Sequence, residues 1–467
     1  MIDKISNNMN LISKSKEIFG QLNIKELQKA GIEREELKKT SHSHIIVTYP
    51  PFSALPSIDG KKIYFSKDAV TKPPREIAFY LHLPFCTGKC LYCPYRTYAN
   101  QSTSIVDEYL DAVEKEIKLL LRSPILKNVT LNSVYIGGGT PTYLSSKQLE
   151  RVFTTIKTNF NIKENAEITV EAEPDTILAV DGEEKLKTLY NNGVNRLSIG
   201  FQTFDDKILK FIGRRHTSQE AIDAYKLAKK CGFKNINIDL ITGLPDQTPE
   251  VWERDLNQVM KLKPVSVTCY PFYLKQTAGI WHFYQREPQR FLNKETVILE
   301  HIMTAEFFKK YKYIQRPIRW FVKAPKYMYH QQLFKWEEIG EQLAVGVSSY
   351  SFVNNFQYFN CDVMSYYLNM IENGELPIER GIKLSEEDLM RRLIIFGLKS
   401  RLYKRIFKSK FGKNPKDVFK EIWKKLEDLG LIEEDEEIIQ LSYKGKLYAD
   451  EVAKEFYSEG VKQQIKD

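Results

Sequence analysis

The sequence predicts an α/β fold built on parallel strands, and three observations carry that prediction. From Arg75 to Lys275, short β-rich runs alternate six times with amphipathic helical runs. The chain has 467 residues, too long for one ordinary core. Past Lys275 the alternation gives way to an aromatic-rich stretch without clear period. The expected organisation is therefore an N-terminal extension (1–75), an α/β core (76–275), an aromatic-rich region covering it (276–380) and a C-terminal winged-helix-like part (381–467).

The elements follow in order. In the extension, Pro50, Pro51 and Pro56 of "VTYPPFSALPSIDG" forbid regular structure. "EIAFYLHL" reads as the first strand. "SIVDEYLDAVEKEIKLLL" follows as a helix with Ile105, Tyr109, Ala112, Val113, Ile117 and Leu120 on one face. "NSVYIGG" is the second strand. Ser145 or Ser146 caps the next helix, which turns Leu149, Val152, Phe153 and Ile156 inward. "EITVEAE", "VNRLSIGFQ", "NINIDLITG" and "VSVTCYPFYL" complete the six strands, and the helix between the third and fourth stops at Gly193. Periodicity does not distinguish a flat sheet from one curled into a barrel. Residues 276–360 read as irregular. From Leu384 a helix, helix, hairpin, helix pattern returns.

Composition narrows the function. The chain is 42% hydrophobic, 28% charged and 12% aromatic, as a globular protein is. No apolar run approaches the roughly eighteen residues of a membrane span, and the N-terminus lacks a secretory signal, so a cytoplasmic location is expected. The net charge of +9 is modest, and clusters such as "LKSRLYKRIFKSKFGKNPK" alternate with apolar residues as amphipathic helices do. Nucleic acid is not the expected partner.

Six cysteines are present, and three of them, Cys86, Cys90 and Cys93, fall in one loop after the first strand. Cys231, Cys269 and Cys361 lie among apolar neighbours and read as small buried hydrophobes. Three thiolates at CxxxCxxC spacing suit a zinc site short of a local fourth ligand, a dithiol pair with Cys86 idle, or an iron–sulfur cluster with one iron open. After the second strand, "YIGGGTPT" (Tyr135 to Thr142) offers three glycines whose backbone N–H groups can close on a polar ligand. Alone, that loop is equally a tight structural turn. It is neither a P-loop nor a dinucleotide fingerprint.

Taken in order, "YLHLPFC", "CLYC", "GGGTPT", "ITVEAEP", "RLSIGFQTF", "GRRH" and "NIDLITGLPDQT" resemble the radical S-adenosylmethionine (SAM) superfamily. More closely, they resemble the oxygen-independent coproporphyrinogen III oxidase-like (HemN-like) family, from Phe79 to Tyr273. The resemblance implies a partial (β/α)6 barrel and a [4Fe–4S] cluster on Cys86, Cys90 and Cys93. Its open iron would chelate SAM, whose reductive cleavage yields a 5′-deoxyadenosyl radical. It further implies one SAM at Tyr80, Gly138 and Glu171, and a second at Tyr92, Gly139, Thr140, Gln202, Arg214 and Asp239. Physical chemistry agrees in part. Asp239 is expensive to bury without a partner, and Arg214 can clamp a carboxylate or simply pair with Asp239. His82 shares a strand face with Tyr80 and either lines the site or sits in the core. Arg215 and His216 read as a helix entry, and Tyr350 matches a first-SAM contact only loosely.

The sequence also departs from the family. The decarboxylating members carry a further Cys where Tyr95 stands, and the "VTYPPF" segment resembles the class C methylases and cyclopropanases. "HQQLFKW" echoes a haem-chaperone motif imperfectly. The expected function is thus oxygen-sensitive radical chemistry in which a second SAM donates a methyl or methylene group to an sp² carbon of a natural product. The alternatives are oxidative decarboxylation of coproporphyrinogen III or other tetrapyrrole chemistry, and a haem chaperone. A small-molecule or carrier-bound substrate, a flavodoxin or ferredoxin as reductant and a monomeric state complete the expectations.

Overall fold

In the computed structural model, residues 10–32, 46–67, 73 and 75–465 are described. Six strands, β1 (Arg75–Leu83), β2 (Val129–Gly138), β3 (Asn161–Ala172), β4 (Arg196–Gln202), β5 (Asn235–Thr242) and β6 (Ser266–Pro271), lie side by side in chain order. Every neighbouring pair among them is parallel. A sheet wound in chain order must place all its connecting helices on one face. The other face then curves round a lumen. The helix Thr103–Leu120 starts at Ser102, whose hydroxyl accepts from Ile105 N at 3.4 Å, and buries Val106, Tyr109, Leu110, Val113 and Ile117. Ser145, not Ser146, caps the second helix, in a reciprocal box with Gln148.

The barrel is partial. Beyond β1, the strand Gln342–Val345 adds in parallel and three antiparallel strands follow it, Tyr350–Val353, Phe356–Asn360 and Ile378–Lys383. Beyond β6, Trp320–Val322 and Ile314–Gln315 add antiparallel. The twelve strands form one open sheet among the described residues.

Residues 276–360 are therefore regular, contrary to the sequence reading. They hold helices Ile280–Arg286, Lys294–Lys310 and His330–Glu337 as well as these strands. The long helix escaped notice because its burial runs around most of its circumference: Glu300, Thr304 and Glu306 are buried beside Ile298, Ile302, Met303 and Phe307. Helix Ile280–Arg286 meets the cysteine loop, where Ile280 N donates to Leu91 O at 2.8 Å. The helix His330–Glu337 instead enters the sheet's concave face. Its N-terminal amides at His330 and Gln331 donate to Glu167 of β3 at 3.1 and 3.3 Å, as a carboxylate at a helix start prefers.

The N-terminal extension and the C-terminal part share one core, in which Ile18, Leu27 and Tyr49 pack with Leu393, Trp423 and Phe456. The C-terminal part is winged-helix-like. It has helices Glu386–Leu398, Lys404–Phe411 and Lys420–Asp428, then a small sheet of Leu402–Tyr403, Ile438–Leu441 and Ile432–Glu434. Buried Asp450 binds this part to the barrel. It pairs with Arg319 beside the strand Trp320–Val322 and with Lys399 at 2.6 Å, and accepts Ile46 N at 3.1 Å. Burial opposes its ionisation, and Arg319 and Lys399 more than offset that, holding its carboxyl well below the ordinary range. Asp450→Asn should strand both cations and cost about 3–5 kcal/mol, read as a lower unfolding midpoint at pH 7. Because the folded value is depressed, the contribution is complete above the unfolded carboxylate value of about 4. The two proteins should therefore converge as pH falls below it.

Candidate functional site

The cysteine loop leaves β1 at the carboxyl end of the sheet, where side chains of adjacent strands converge. Phe85–Cys86 pairs with Tyr98–Ala99, closing the loop at its base. Leu91 N donates to Ile212 O at 2.9 Å, which anchors its middle. The three thiols are partly exposed. Of the other cysteines, Cys269 and Cys361 are buried as expected, whereas Cys231 is only half-buried. The Thr140 hydroxyl donates to Cys86 Sγ and Arg214 Nη1 to Cys90 Sγ, each at 3.5 Å. Burial pushes the Cys86 thiol up to about 11 and raises Cys93 as well. Among the described residues no three His, Cys, Asp or Glu side chains converge tightly enough for a single ion. Three thiols on one loop, two of them already receiving hydrogen bonds, fit a cluster with terminal thiolates.

The glycine loop is used differently from the sequence expectation. Its N–H groups are consumed within the protein: Gly138 N donates to Glu171 at 2.9 Å, Gly139 N to Leu83 O at 2.7 Å and Thr140 N to Phe85 O at 2.7 Å. The missing Cβ atoms serve close approach. A Cβ on Gly139 would sit 2.6 Å from Phe85 O, and Gly138, at φ +110°, lies against the His82 ring. His82 is 6% exposed, bonds Tyr80 OH through Nδ1 at 3.0 Å and is lowered to about 4 by burial. It packs the floor of the site as a neutral ring.

Tyr80, Gly138 and Glu171 come together. Tyr80 stacks on Tyr135 at 5.9 Å, and Tyr135 OH donates to Glu171 at 2.6 Å. Burial raises the Glu171 carboxyl against these two donors. Two donors leave the carboxylate with lone pairs for a ligand.

Tyr92, Gln202 and Arg214 form a second group. Arg214 Nη1 lies 3.4 Å from Tyr92 OH, and Nη2 donates to Gly200 O at 2.6 Å. Gln202 sits on a bulge of β4 at φ +67°, its amide crowded against Gly200. Asp239 does not pair with Arg214. Its carboxylate accepts Ser198 at 2.7 Å and Asn237 at 2.8 Å, and burial raises it. The partner of Arg214 is Glu173, bound through both guanidinium nitrogens. Arg215 is exposed over Gly88, while His216 is buried and lowered by burial to about 3. Tyr350 OH is 3.5 Å from Lys335 Nζ, and its ring acts electrostatically on Tyr80.

The sequence reading missed Glu173, Tyr135 and Arg196. Glu173 ends the quoted "ITVEAEP", but its role depends on the chain returning through Arg214. Arg196 is 1% exposed and stands 4.7 Å from the Tyr329 ring. The alternation Arg196, Ser198, Gly200, Gln202 on one face of β4 is a polar stripe that could have revealed it.

Thr140→Val should keep the fold and remove the hydroxyl from Cys86. Iron retained under a chelator challenge is expected to fall about tenfold, read by iron analysis and visible absorbance beside an unchanged circular dichroism spectrum.

Comparisons with known proteins agree with this geometry. Residues 80–259 match the Radical SAM superfamily and residues 384–448 the HemN C-terminal domain. The chain is 30% identical over 390 residues to the heme chaperone HemW of Bacillus subtilis, covering 81% of this chain and 99% of that one. It is 29% identical over 389 residues to the oxygen-independent coproporphyrinogen III oxidase of Escherichia coli, covering 80% and 84%. The solved structure of coproporphyrinogen III oxidase (HemN) from Escherichia coli, described as a radical SAM enzyme, superposes with a TM-score of 0.73 at 26% identity, over 84% of this chain and 92% of that one. A [4Fe–4S] cluster and SAM are the cofactors this superfamily implies, and the thiol loop with Glu171 beside it has the donors to receive them. The chain belongs to the HemN/HemW family of radical SAM proteins.

Proposed function

We propose that the chain is an enzyme that cleaves SAM at a cluster held by Cys86, Cys90 and Cys93, and turns the resulting radical on a tetrapyrrole-class substrate. When bound, the cluster supplies the electron that breaks the sulfonium bond of SAM. Tyr80, Gly138 and Glu171 hold and orient that SAM. Tyr92, Gln202, Arg214 and Asp239, with Gly139 and Thr140, hold a second. A flavodoxin- or ferredoxin-type protein is the proposed reductant.

The observation that carries the reading is Arg214. One guanidinium touches Cys90 and Tyr92 while Glu173 and Gly200 O fix it from behind. The second ligand group and the cysteine loop thus share a residue, so what binds at one is placed against the other. The tetrapyrrole class rests on the names of the two relatives.

Carbon transfer is the second reading, favoured by Tyr95. This side chain stands where decarboxylating members carry Cys. It is 61% exposed yet close enough to act electrostatically on Tyr80 at the barrel mouth. Neither relative reported above is named for methyl or methylene transfer.

Product analysis tests both. After anaerobic reconstitution with iron and sulfide, SAM and dithionite should give 5′-deoxyadenosine and methionine, and the triple alanine variant of the cysteines should give neither. Glu171→Gln should keep its iron and lose about 2 kcal/mol of ligand stabilisation, some thirtyfold in cleavage rate. S-adenosylhomocysteine formed with a substrate extract would select carbon transfer. A fully loaded cluster that leaves SAM intact, in a protein that binds haem tightly, would replace the enzyme with a chaperone.

A further inference from the structure

A cavity of about 600 Å³ lies outside the lumen, on the helix side of β6. Its walls come from the ends of β5 and β6 and the residues after them, Tyr284, the helix Lys294–Lys310 with the residues just before it, residues 315–321, and the C-terminal stretch 443–451. Strand alternation separates it from the lumen. Cys269 faces the cavity, whereas its neighbour Thr268 donates into the lumen to Asn237 at 3.1 Å. The volume is that of a small-molecule site.

The chemistry of the wall is selective. Phe272, Tyr273, Phe291 and Phe321 supply aromatic surface. Of the acidic groups, Asp450 is matched by Arg319 and Lys399 and Glu451 by Lys454 at 2.7 Å, while Glu295 is exposed to solvent. Lys446 and His301 are not matched. Both are half-buried, both line the cavity, and neither forms a side-chain hydrogen bond or ion pair among the described residues. A half-buried ammonium without a counter-charge is costly, and burial correspondingly lowers Lys446. The nearest charges acting on it, Glu433 and Arg401, have opposite signs.

We propose that this cavity is a second ligand site, which takes a flat conjugated molecule bearing carboxylates. Lys446 meets a carboxylate, His301 offers a ring nitrogen and the aromatic wall receives the body of the ligand. The site holds its ligand and does not transform it, because β6 stands between it and the lumen. It nevertheless adjoins the cysteine loop, since Phe272 and Leu274 share a small core with Leu91 and Tyr92. This inference goes beyond the radical reading and does not depend on it.

The test uses the full-length, cluster-reconstituted protein and two fluorescent probes, protoporphyrin IX and its dimethyl ester. The diacid should bind more tightly than the diester. Lys446→Glu should raise the Kd of the diacid about tenfold and leave the diester within twofold. Ala305→Trp, which fills the cavity, should weaken both probes. Lys446→Gln, a milder change, should give a smaller loss of the diacid alone and guards against misfolding of the charge reversal. All three variants should cleave SAM within twofold of the parent, and Glu171→Gln in the lumen should leave porphyrin binding unchanged. Binding that ignores both Lys446 and Ala305, or that follows Glu171, would overturn the proposal. Loss of SAM cleavage in the parent protein would instead count against the proposed function.

Discussion

Two short hydrogen bonds, Gly139 N to Leu83 O and Thr140 N to Phe85 O, tie the cysteine loop to the glycine loop. Almost everything at the mouth of the barrel depends on them. They fix where β1 ends relative to β2 and set Thr140 beside Cys86. They also leave Gly138 free to close on Glu171. The bonds form only because Gly139 has no side chain, since a Cβ there would meet backbone oxygen, which cannot rotate away as a side chain could. The glycine loop is thus a structural clasp whose missing side chains clear the space beside it.

The same economy governs the charges in the lumen. Glu171, Glu173, Arg214 and Asp239 would each be costly to bury alone. Each instead has its own local partner: Tyr135 and Gly138, Arg214, Glu173, and Ser198 with Asn237. Arg214 and Asp239 do not meet: Glu173 holds the first and Ser198 with Asn237 the second, so each side chain is fixed in place by its own partners. Preorganisation of this kind lowers the cost of binding.

The β/α alternation was legible because each core strand is buried on both faces and bounded by capped helices, so that Ser102, Ser145, Thr217 and Thr248 punctuate the sequence. The cysteine spacing and the glycine run stood out for their composition. What stayed hidden was long-range. Glu173 gains its meaning only when Arg214 arrives, 41 residues later. The helix Lys294–Lys310 shows no polar face because the helix Leu11–Gly20 and the barrel enclose it. The strands after Gln342 are four to six residues long and bury Gln342, Ser351, Gln357 and Asn360, which weakens the apolar signal that marks a strand.

The outer parts of the chain bear on the site through Asp450. Its carboxylate gathers Arg319 from beside β6, Lys399 from the C-terminal helix and the backbone of Ile46 from the extension. Three segments remote in sequence meet at one charge, and that charge forms part of the cavity wall. Without it, Arg319 would add a cation to a cavity that already holds Lys446, Lys399 would be left buried without its counter-charge, and the C-terminal stretch would have little reason to sit against β6. The lumen and the cavity are therefore two faces of one strand. Polar alternation fixes the first, and a buried ion pair fixes the second by holding a foreign domain against it.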